Sequence, residues 1–276
     1  MKISFWGTRG SLPCPGARYT KYGGNTSCIS ITTSNGELVI DAGTGLRNYG
    51  NARQGKATQN LPNVYHIALS HFHYDHIIGI PFFKPLWDPN AIIHFYSGTC
   101  AGREDLERVL RLLFREPFLP MCYDDIPATL ILHTLTETQS IEIFSGVCLR
   151  VFPLNHPGGA CGYSVSEQGK SVAYVSDHEH SQQGEKNLTP FLHGHDLMIF
   201  DAFFCNETYR AGWGHSTWEQ GVSLAKSLNI PQVALFHHHI ECDDGALDIL
   251  QNQISQVFSG AFFAREGTTV TLTEAF

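Results

Sequence analysis

SHFHYDH, at residues 70–76, follows the apolar run YHIAL at residues 65–69, which is typical of a buried β-strand. The stretch places three histidines and one aspartate within six residues. Neutral imidazole nitrogen and carboxylate oxygen are preferred ligands of zinc and similar divalent metals. The stretch therefore predicts a metal site at the end of a strand rather than a His-rich surface loop.

The spacing of these ligands favours two metal ions over one. His71 and His73 alternate by two, so in an extended loop they point the same way, whereas Asp75 and His76 turn to the other side. One ion needs three or four protein ligands, and a catalytic site keeps a position open for water. Two ions therefore require further histidine and aspartate ligands from later in the chain.

Candidates for those ligands stand at the ends of other apolar runs. The residues that end such runs are Asp41, His71, Asp177, Asp201 and His237. A core strand is rigid, so ligands at its end keep fixed positions within reach of solvent, and we expect them to converge on one cleft. His156, in LNHPGG, joins this set, together with one of His237, His238 and His239. Histidines without this context are predicted to be structural, namely His66, His94, His133, His193 and His195.

Composition limits the class of protein and its partners. At 276 residues the chain suits a single domain, 1–276, and no segment approaches the roughly 18 consecutive apolar residues of a membrane span. The N-terminal segment does not fit a signal peptide, and eight scattered cysteines form no CxxC pair, so free thiols in a cytoplasmic protein are expected. A net charge of −8 argues against extended nucleic acid and favours a small or locally held substrate. The oligomeric state, a homodimer included, stays open.

Strand and helix signals together predict a layered α/β arrangement. Apolar runs predict a first strand near the N-terminus and further strands at residues 29–33, 37–40, 65–69, 92–96, 141–144, 148–153, 171–175, 197–200 and 232–236. Apolar stripes predict helices at residues 103–114, 217–228 and 245–257. Ser216 and Glu219 have the spacing of a capping box for the second helix, and residues 48–63 are predicted to be a polar loop.

The order of the ligands resembles the metallo-β-lactamase superfamily. The shared features are His-x-His-x-Asp-His, a lone histidine, a strand-end aspartate and a late strand-end histidine, over most of the chain. The resemblance implies a four-layered αββα sandwich that binds two divalent metal ions at its sheet edges, with zinc expected and manganese or iron as alternatives. The implied ligands are His71, His73 and His156 on one ion, Asp75, His76 and His237 on the second, and Asp177 bridging both. Asp41 is implied to hold the ligand loop.

Gly214-His215-Ser216-Thr217 resembles the phosphodiesterase branch of this superfamily, which includes ribonuclease Z and cyclic-nucleotide phosphodiesterases. A histidine next to a helix start lies where backbone N–H groups favour a phosphate. His215 is therefore the candidate general acid. Asp201, which stands where ribonuclease Z usually has a glutamate, is the candidate that orients it, and Asp75 is the third residue expected to act in catalysis.

These features predict a dinuclear metal-dependent hydrolase that acts through a metal-bound hydroxide. The preferred substrate is a cyclic nucleotide or another small phosphodiester. A tRNA 3′-processing endonuclease is the alternative, disfavoured by the acidic charge and by the lack of a long Gly/Lys-rich insertion. Thioester or lactone hydrolysis is a further alternative, disfavoured because that reaction has no evident use for the His-Ser-Thr element. The non-hydrolytic alternative is a di-iron redox protein of this fold, disfavoured because such proteins usually have a glutamate where His73 stands.

Overall fold

Two mixed β-sheets form the centre of the molecule. The computed structural model describes residues 1–53 and 63–273, and each sheet within them has seven strands. In spatial order the first sheet contains β14 (Thr269–Thr271), β1 (Lys2–Gly7), β2 (Cys28–Thr32), β3 (Glu37–Ile40), β4 (Asn63–Leu69), β5 (Ala91–Ser97) and β6 (Thr129–Thr134). The second contains β13 (Ala261–Phe263), β12 (Gln232–Phe236), β11 (Leu197–Asp201), β10 (Lys170–Val175), β9 (Ala160–Glu167), β8 (Val147–Leu154) and β7 (Ser140–Phe144).

Helices cover the outer face of each sheet. The helices are α1 (Gly45–Arg53), α2 (Tyr74–Ile77), α3 (Arg103–Leu113), α4 (Gln182–Leu192), α5 (Trp218–Ser227) and α6 (Asp244–Val257). Apolar residues of α1 and α3 pack on the first sheet, and those of α4, α5 and α6 pack on the second. Within the described residues, no helix combines the length and the apolar character needed to cross a membrane.

The alternation of side chains along the strands divides the core into three layers. In β2, Ile29 and Ile31 belong to the core between the sheets, and in β10 Val172 and Tyr174 do so. The residues that alternate with them along the strands point to the other face of the sheet and pack under the helices, as Val175 does beneath α4. Both faces of each sheet are therefore buried, which explains the nearly continuous apolar runs of the central strands. The predicted four-layered αββα sandwich is confirmed.

Strand direction places the candidate ligands at the same end of both sheets. Strands β3 to β6 run parallel in the first sheet, and β10 to β13 run parallel in the second. Each parallel set presents its carboxyl ends together, and ligands in such folds collect outside these ends. The strand-end residues of the sequence analysis therefore meet where the two sheets meet.

All nine internal strands and three helices that were predicted are present, most within two residues of the predicted ends. Strands β6, β9, β13 and β14 and helices α1, α2 and α4 were not predicted. The predicted loop 48–63 is wrong at its start, because residues 48–53 belong to α1, whereas residues 54–62 lie outside the described part of the chain. The predicted cap is one residue early: Thr217 and Gln220 form the capping box of α5, because the hydroxyl of Ser216 binds the backbone of His178 and His180 instead.

Candidate metal centre

Three of the strand-end residues have a left-handed backbone. Asp41, Asp177 and His237 have φ values of 62°, 57° and 64°. This conformation is uncommon for residues other than glycine, and it persists only where the surrounding structure fixes it. It turns the chain sharply at the end of β3, β10 and β12. The fold therefore accepts local backbone strain at the three positions where carboxylate or imidazole groups enter the cleft.

The first cluster consists of His71, His73 and His156. Its ligand nitrogens lie within 4.8 Å of one another, and Nε2 of His156 is 3.1 Å from Nδ1 of His73. Burial lowers the pKa of His71 and of His156, so both imidazoles are neutral near pH 7. Nε2 of His71 is buried and has no hydrogen-bond partner among the described residues. A buried nitrogen without a partner is costly, so the cluster fits a cation that accepts its lone pair.

The second cluster consists of Asp75, His76 and His237, with Asp177 between the two clusters. Nε2 of His76 lies 3.3 Å from Asp75 Oδ2, 3.1 Å from Asp177 Oδ2 and 3.3 Å from Nε2 of His237. Asp177 Oδ1 is also 3.9 Å from Nε2 of both His71 and His156. Its carboxylate therefore faces both clusters, as the bridging ligand implied by the resemblance would.

Electrostatics in this cluster favour a positive charge between the carboxylates. Burial alone would raise the pKa of Asp75 and of Asp177, but the facing histidines hold both well below their usual range. Burial would likewise lower the pKa of His76, but Asp177, Asp75 and Asp41 raise it well above its usual value. In the absence of metal, a proton on His76 thus balances the carboxylates. A divalent ion would displace that proton, as is general for metal ligands.

Hydrogen bonds behind the histidines fix which nitrogen faces the cleft. The buried carboxylate of Asp41 accepts hydrogen bonds from the Nδ1–H of His76 at 2.7 Å and from the hydroxyl of Ser70 at 2.8 Å. Because that hydroxyl donates to Asp41, its oxygen accepts from Nδ1 of His71, 3.0 Å away. The carbonyl of Gly214 accepts from Nδ1 of His156 at 2.8 Å. Each of the three imidazoles therefore directs its Nε2 atom into the cleft, and this is the nitrogen that would bind a metal after any proton on it is displaced.

His215 and Asp201 form a buried pair at the side of the clusters. Nδ1 of His215 donates to Asp201 Oδ2 at 2.8 Å, and the same carboxylate accepts the N–H groups of Asp177, Phe203 and Ser216. Burial lowers the pKa of His215, but Asp201, followed by Asp177 and Asp75, raises it to about 9. The Phe203 ring stacks on the imidazole at a centroid distance of 4.4 Å.

Every predicted site residue lies in or beside this cleft. Of the three consecutive histidines, His237 faces Asp75, whereas His238 points away and donates from Nε2 to the Ala264 carbonyl. His239 contacts Phe203. His66, His94 and His133 lie away from the clusters and stack on one another across β4, β5 and β6.

Sequence reasoning missed two contacts at the cleft. The backbone N–H of Ser11 donates to Asp75 Oδ2 at 2.7 Å, and the carboxylate of Glu179 binds the segment before His215. The turn-rich stretch around Gly10 was the available sequence signal for the contact of Ser11. Gly10 itself packs so closely on His237 that a Cβ would lie 2.7 Å from the ring. No local pattern pointed to the second.

The sequence profile of the family described as the beta-lactamase superfamily domain matches residues 37–239. This chain belongs to that superfamily. The match contains both clusters and the His215–Asp201 pair, and the chain is a metal-dependent hydrolase.

Relatives within the superfamily cover nearly the whole chain. A ribonuclease Z of Picrophilus torridus is 25% identical over 96% of this chain and 94% of its own length. The structure of a diphosphatase from the PhnP family has a TM-score of 0.70 at 19% identity and covers 99% of this chain and 98% of that one. The short form of human tRNase Z has a TM-score of 0.65 at 18% identity and covers 99% and 100%. At these identities the two structures establish the fold.

Proposed function

We propose that this member of the superfamily is a phosphodiesterase that uses two divalent metal ions. One ion is held by His71, His73 and His156, and the other by Asp75, His76 and His237, with Asp177 shared. The converging imidazole nitrogens, the buried unpartnered Nε2 of His71 and the facing carboxylates support this ligand set. A metal pair of this kind supplies Lewis acidity and an activated water at neutral pH. Zinc is our first choice, but ligands of this type also accept manganese and iron.

The pairing of His215 with Asp201 is the observation that carries the choice of a phosphodiester. Because Nδ1 is bonded to the carboxylate, the Nε2–H of the protonated ring is left to donate to a substrate oxygen. Hydrolysis of a phosphodiester adds hydroxyl to phosphorus and a proton to the departing alkoxide, and an alkoxide leaves slowly without that proton. Hydrolysis of a thioester has less need of such a donor, because a thiolate departs more readily than an alkoxide.

We propose RNA as the first substrate, cleaved as by ribonuclease Z. This choice reverses the preference of the sequence analysis and rests on the near full-length similarity to proteins of that name. The net charge of −8 weighed against extended nucleic acid. A charge summed over the whole chain does not describe the cleft, however, where bound metal ions would supply local positive charge.

A small phosphodiester is the second candidate. Phe203, which stacks on His215, also lines a cavity of about 400 Å³ together with Phe204, Tyr209 and His239. Aromatic walls beside the reacting group suit a single nucleobase, because a base stacks on aromatic rings without regard to its sequence context. A mononucleotide diester would use this cavity without requiring a long basic surface.

The test is a substrate screen with metal-loaded protein. Precursor tRNA with a 3′ trailer, dinucleotides, cyclic nucleotides and bis(p-nitrophenyl) phosphate are compared with thioesters and lactones, and His215→Ala serves as the matched variant. Cleavage of precursor tRNA at the trailer supports the first candidate, whereas cleavage of the nucleotide diesters alone supports the second. If metal-loaded protein hydrolyses esters and leaves every phosphodiester intact, the proposed function is wrong.

A further inference from the structure

The half-buried carboxylate of Glu179 binds a loop that leads into His215. Glu179 Oε1 accepts the N–H of Gly212 at 2.8 Å and the hydroxyl of Tyr209 at 3.0 Å. Its Oε2 accepts the N–H of Gly214 at 2.9 Å and that of Gly212 at 3.0 Å. Both oxygens are therefore used in binding the segment 209–214, which we call the acid loop.

The backbone of the acid loop is shaped to receive an anion. Gly212 and Gly214 have φ values of 83° and 80°, the left-handed region that favours glycine. N–H groups on the concave side of such a turn converge on one point and form an anion site. The side-chain carboxylate of Glu179 occupies this site, where it accepts the N–H groups of Gly212 and Gly214.

The peptide between Gly214 and His215 is connected to both a candidate metal ligand and the candidate general acid. Its carbonyl accepts Nδ1–H of His156 and so fixes the tautomer of a candidate metal ligand. The next side chain is His215, held by Asp201. Gly214 packs so closely that a Cβ would lie 2.4 Å from Nδ1 of His156. A small shift of this peptide would therefore displace His215 directly, because that side chain follows it in the chain.

The other side of Glu179 is fixed to the sheet edge. Its N–H donates to the carbonyl of Asn155 at 2.8 Å, and the side-chain amide of Asn155 donates to the carbonyl of Glu179 at 3.0 Å. Asn155 precedes His156, and Glu179 follows Asp177 by two residues. The glutamate thus connects the acid loop to two rigid strand ends, β8 and β10.

We propose that Glu179 is a positioning residue that sets the place of His215 relative to the metal ligands. The inference rests on the proposed function, since it assigns Glu179 a part in protonating the leaving group. Glu179 itself touches no reacting atom. It acts through the acid loop, where Glu179 is the one side chain among the described residues that accepts the N–H groups of Gly212 and Gly214.

Glu179→Gln is the test variant, since it keeps the shape of the side chain but has only one acceptor oxygen for the two N–H groups. It is compared with wild type on two diesters: bis(p-nitrophenyl) phosphate, whose leaving group departs without a proton, and a dinucleotide or RNA, whose ribose oxygen needs one. A displacement near 1 Å can reduce a rate about 100-fold. We expect a loss of about 10- to 100-fold on the ribose substrate and less than about threefold on the p-nitrophenyl substrate.

Two measurements do not depend on turnover. Hydrogen exchange at the amides of Gly212 and Gly214 should accelerate at least about tenfold in Glu179→Gln, because their acceptor is weakened. Bound metal per chain should stay at the wild-type value. Glu104→Gln, which removes the same charge from the exposed first turn of α3, should change neither the rates nor the exchange. Tyr209→Phe removes a single donor to Glu179, so its rates and its amide exchange should lie between those of Glu179→Gln and Glu104→Gln.

The outcomes separate the proposal from the function on which it rests. Equal losses on both substrates, loss of metal, or unchanged exchange at Gly212 and Gly214 would show that Glu179 does not position His215. If wild type hydrolyses neither diester, the proposed function fails first, and the role of Glu179 in leaving-group protonation fails with it.

Discussion

Replacing Asp41 by asparagine should weaken metal binding without unfolding the protein. Asp41 is fully buried at the end of β3, and its φ of 62° suits asparagine better than most residues. The carboxylate accepts four hydrogen bonds, at 2.7–2.8 Å: two from Ser70, one from His76 and one from the hydroxyl of Tyr174. An asparagine amide has the same shape but only one acceptor oxygen.

The size of the effect follows from the loss of one acceptor. If the amide nitrogen takes the place of Oδ2, it faces the Nδ1–H of His76, and the ring must move that proton to Nε2, the nitrogen directed at the metal. If the amide turns the other way, it opposes the N–H of Ser70 instead. Removing such an outer partner costs about 10- to 100-fold in metal affinity, or about 1.4–2.7 kcal/mol. A lost charged hydrogen bond should lower the free energy of unfolding of the apo protein by about 1.5–3 kcal/mol.

The assay is a zinc titration of apo protein against a chelator of known affinity, with urea unfolding of the same preparations. The ion bound by His76 should lose more affinity than the ion bound by His71, because Asp41 reaches His71 only through Ser70. Asp196→Asn is the matched control, since Asp196 also accepts a strand N–H but lies away from the clusters. Unchanged zinc affinity in Asp41→Asn, or an equal change in the control, would show that Asp41 does not support the metal ligands.

Three further outcomes are expected. His215→Ala should keep its metal but lose about 10²- to 10⁴-fold in rate on substrates with a ribose leaving group, measured by single-turnover kinetics, and loss of metal would contradict the assigned role. Gly214→Ala should reduce metal content and activity because its methyl group meets the His156 ring at 2.4 Å, whereas Gly146→Ala, also left-handed but in open space, should change neither. His66 should account for a loss of about 1–2 kcal/mol of stability as pH decreases from 6.5 to 4, because burial lowers the pKa of the folded side chain to about 4 while the unfolded side chain takes up its proton near 6.5. Urea titrations at pH 7 and pH 5 should show a smaller difference in His66→Gln, and an equal difference would exclude His66 as the cause.

Local sequence patterns predicted the strands that are buried on both faces, because burial of this kind produces a continuous apolar run. Strands β3 and β12 were predicted to the residue, because apolar runs buried on both faces end abruptly at charged or imidazole side chains. Strand β9 was missed, because ACGYSVSE has glycine, serine or glutamate at half of its positions. Its pairing with β8 and β10, and the packing of Gly162 against the Phe152 ring, define it instead. These are long-range contacts that no window of sequence contains.

Two of the helices that were not predicted, α1 and α4, have weak local signals in the sequence. Helix α1 contains two glycines in nine residues, and α4 contains Pro190. Both residue types disfavour a helix interior. Leu46 and Tyr49 of α1 are nevertheless fully buried against the first sheet. Tertiary packing therefore decides these helices, and propensity alone could not predict them.

The candidate ligands were easier to place than the groups that support them. Strand ends and the SHFHYDH stretch are local features, and parallel strands bring their ends together in any fold of this class. Glu179 has no such feature: its part depends on one loop meeting another 30 residues later, on two left-handed glycines and on a peptide shared with His156. A carboxylate that binds backbone N–H groups leaves no motif, because its partners have no side chain to recognise.

The placement of the clusters ties metal binding to the packing of the two sheets. His71 and His73 follow β4 of the first sheet, and their partner His156 follows β8 of the second. The other cluster divides in the same way, with His76 from the first sheet and His237 from the second. Neither cluster can assemble until the faces between the sheets have packed, so part of the affinity for metal is free energy of association between the sheets. By the same linkage, bound metal stabilises that packing, and a substitution in the core between the sheets changes metal affinity without touching a ligand.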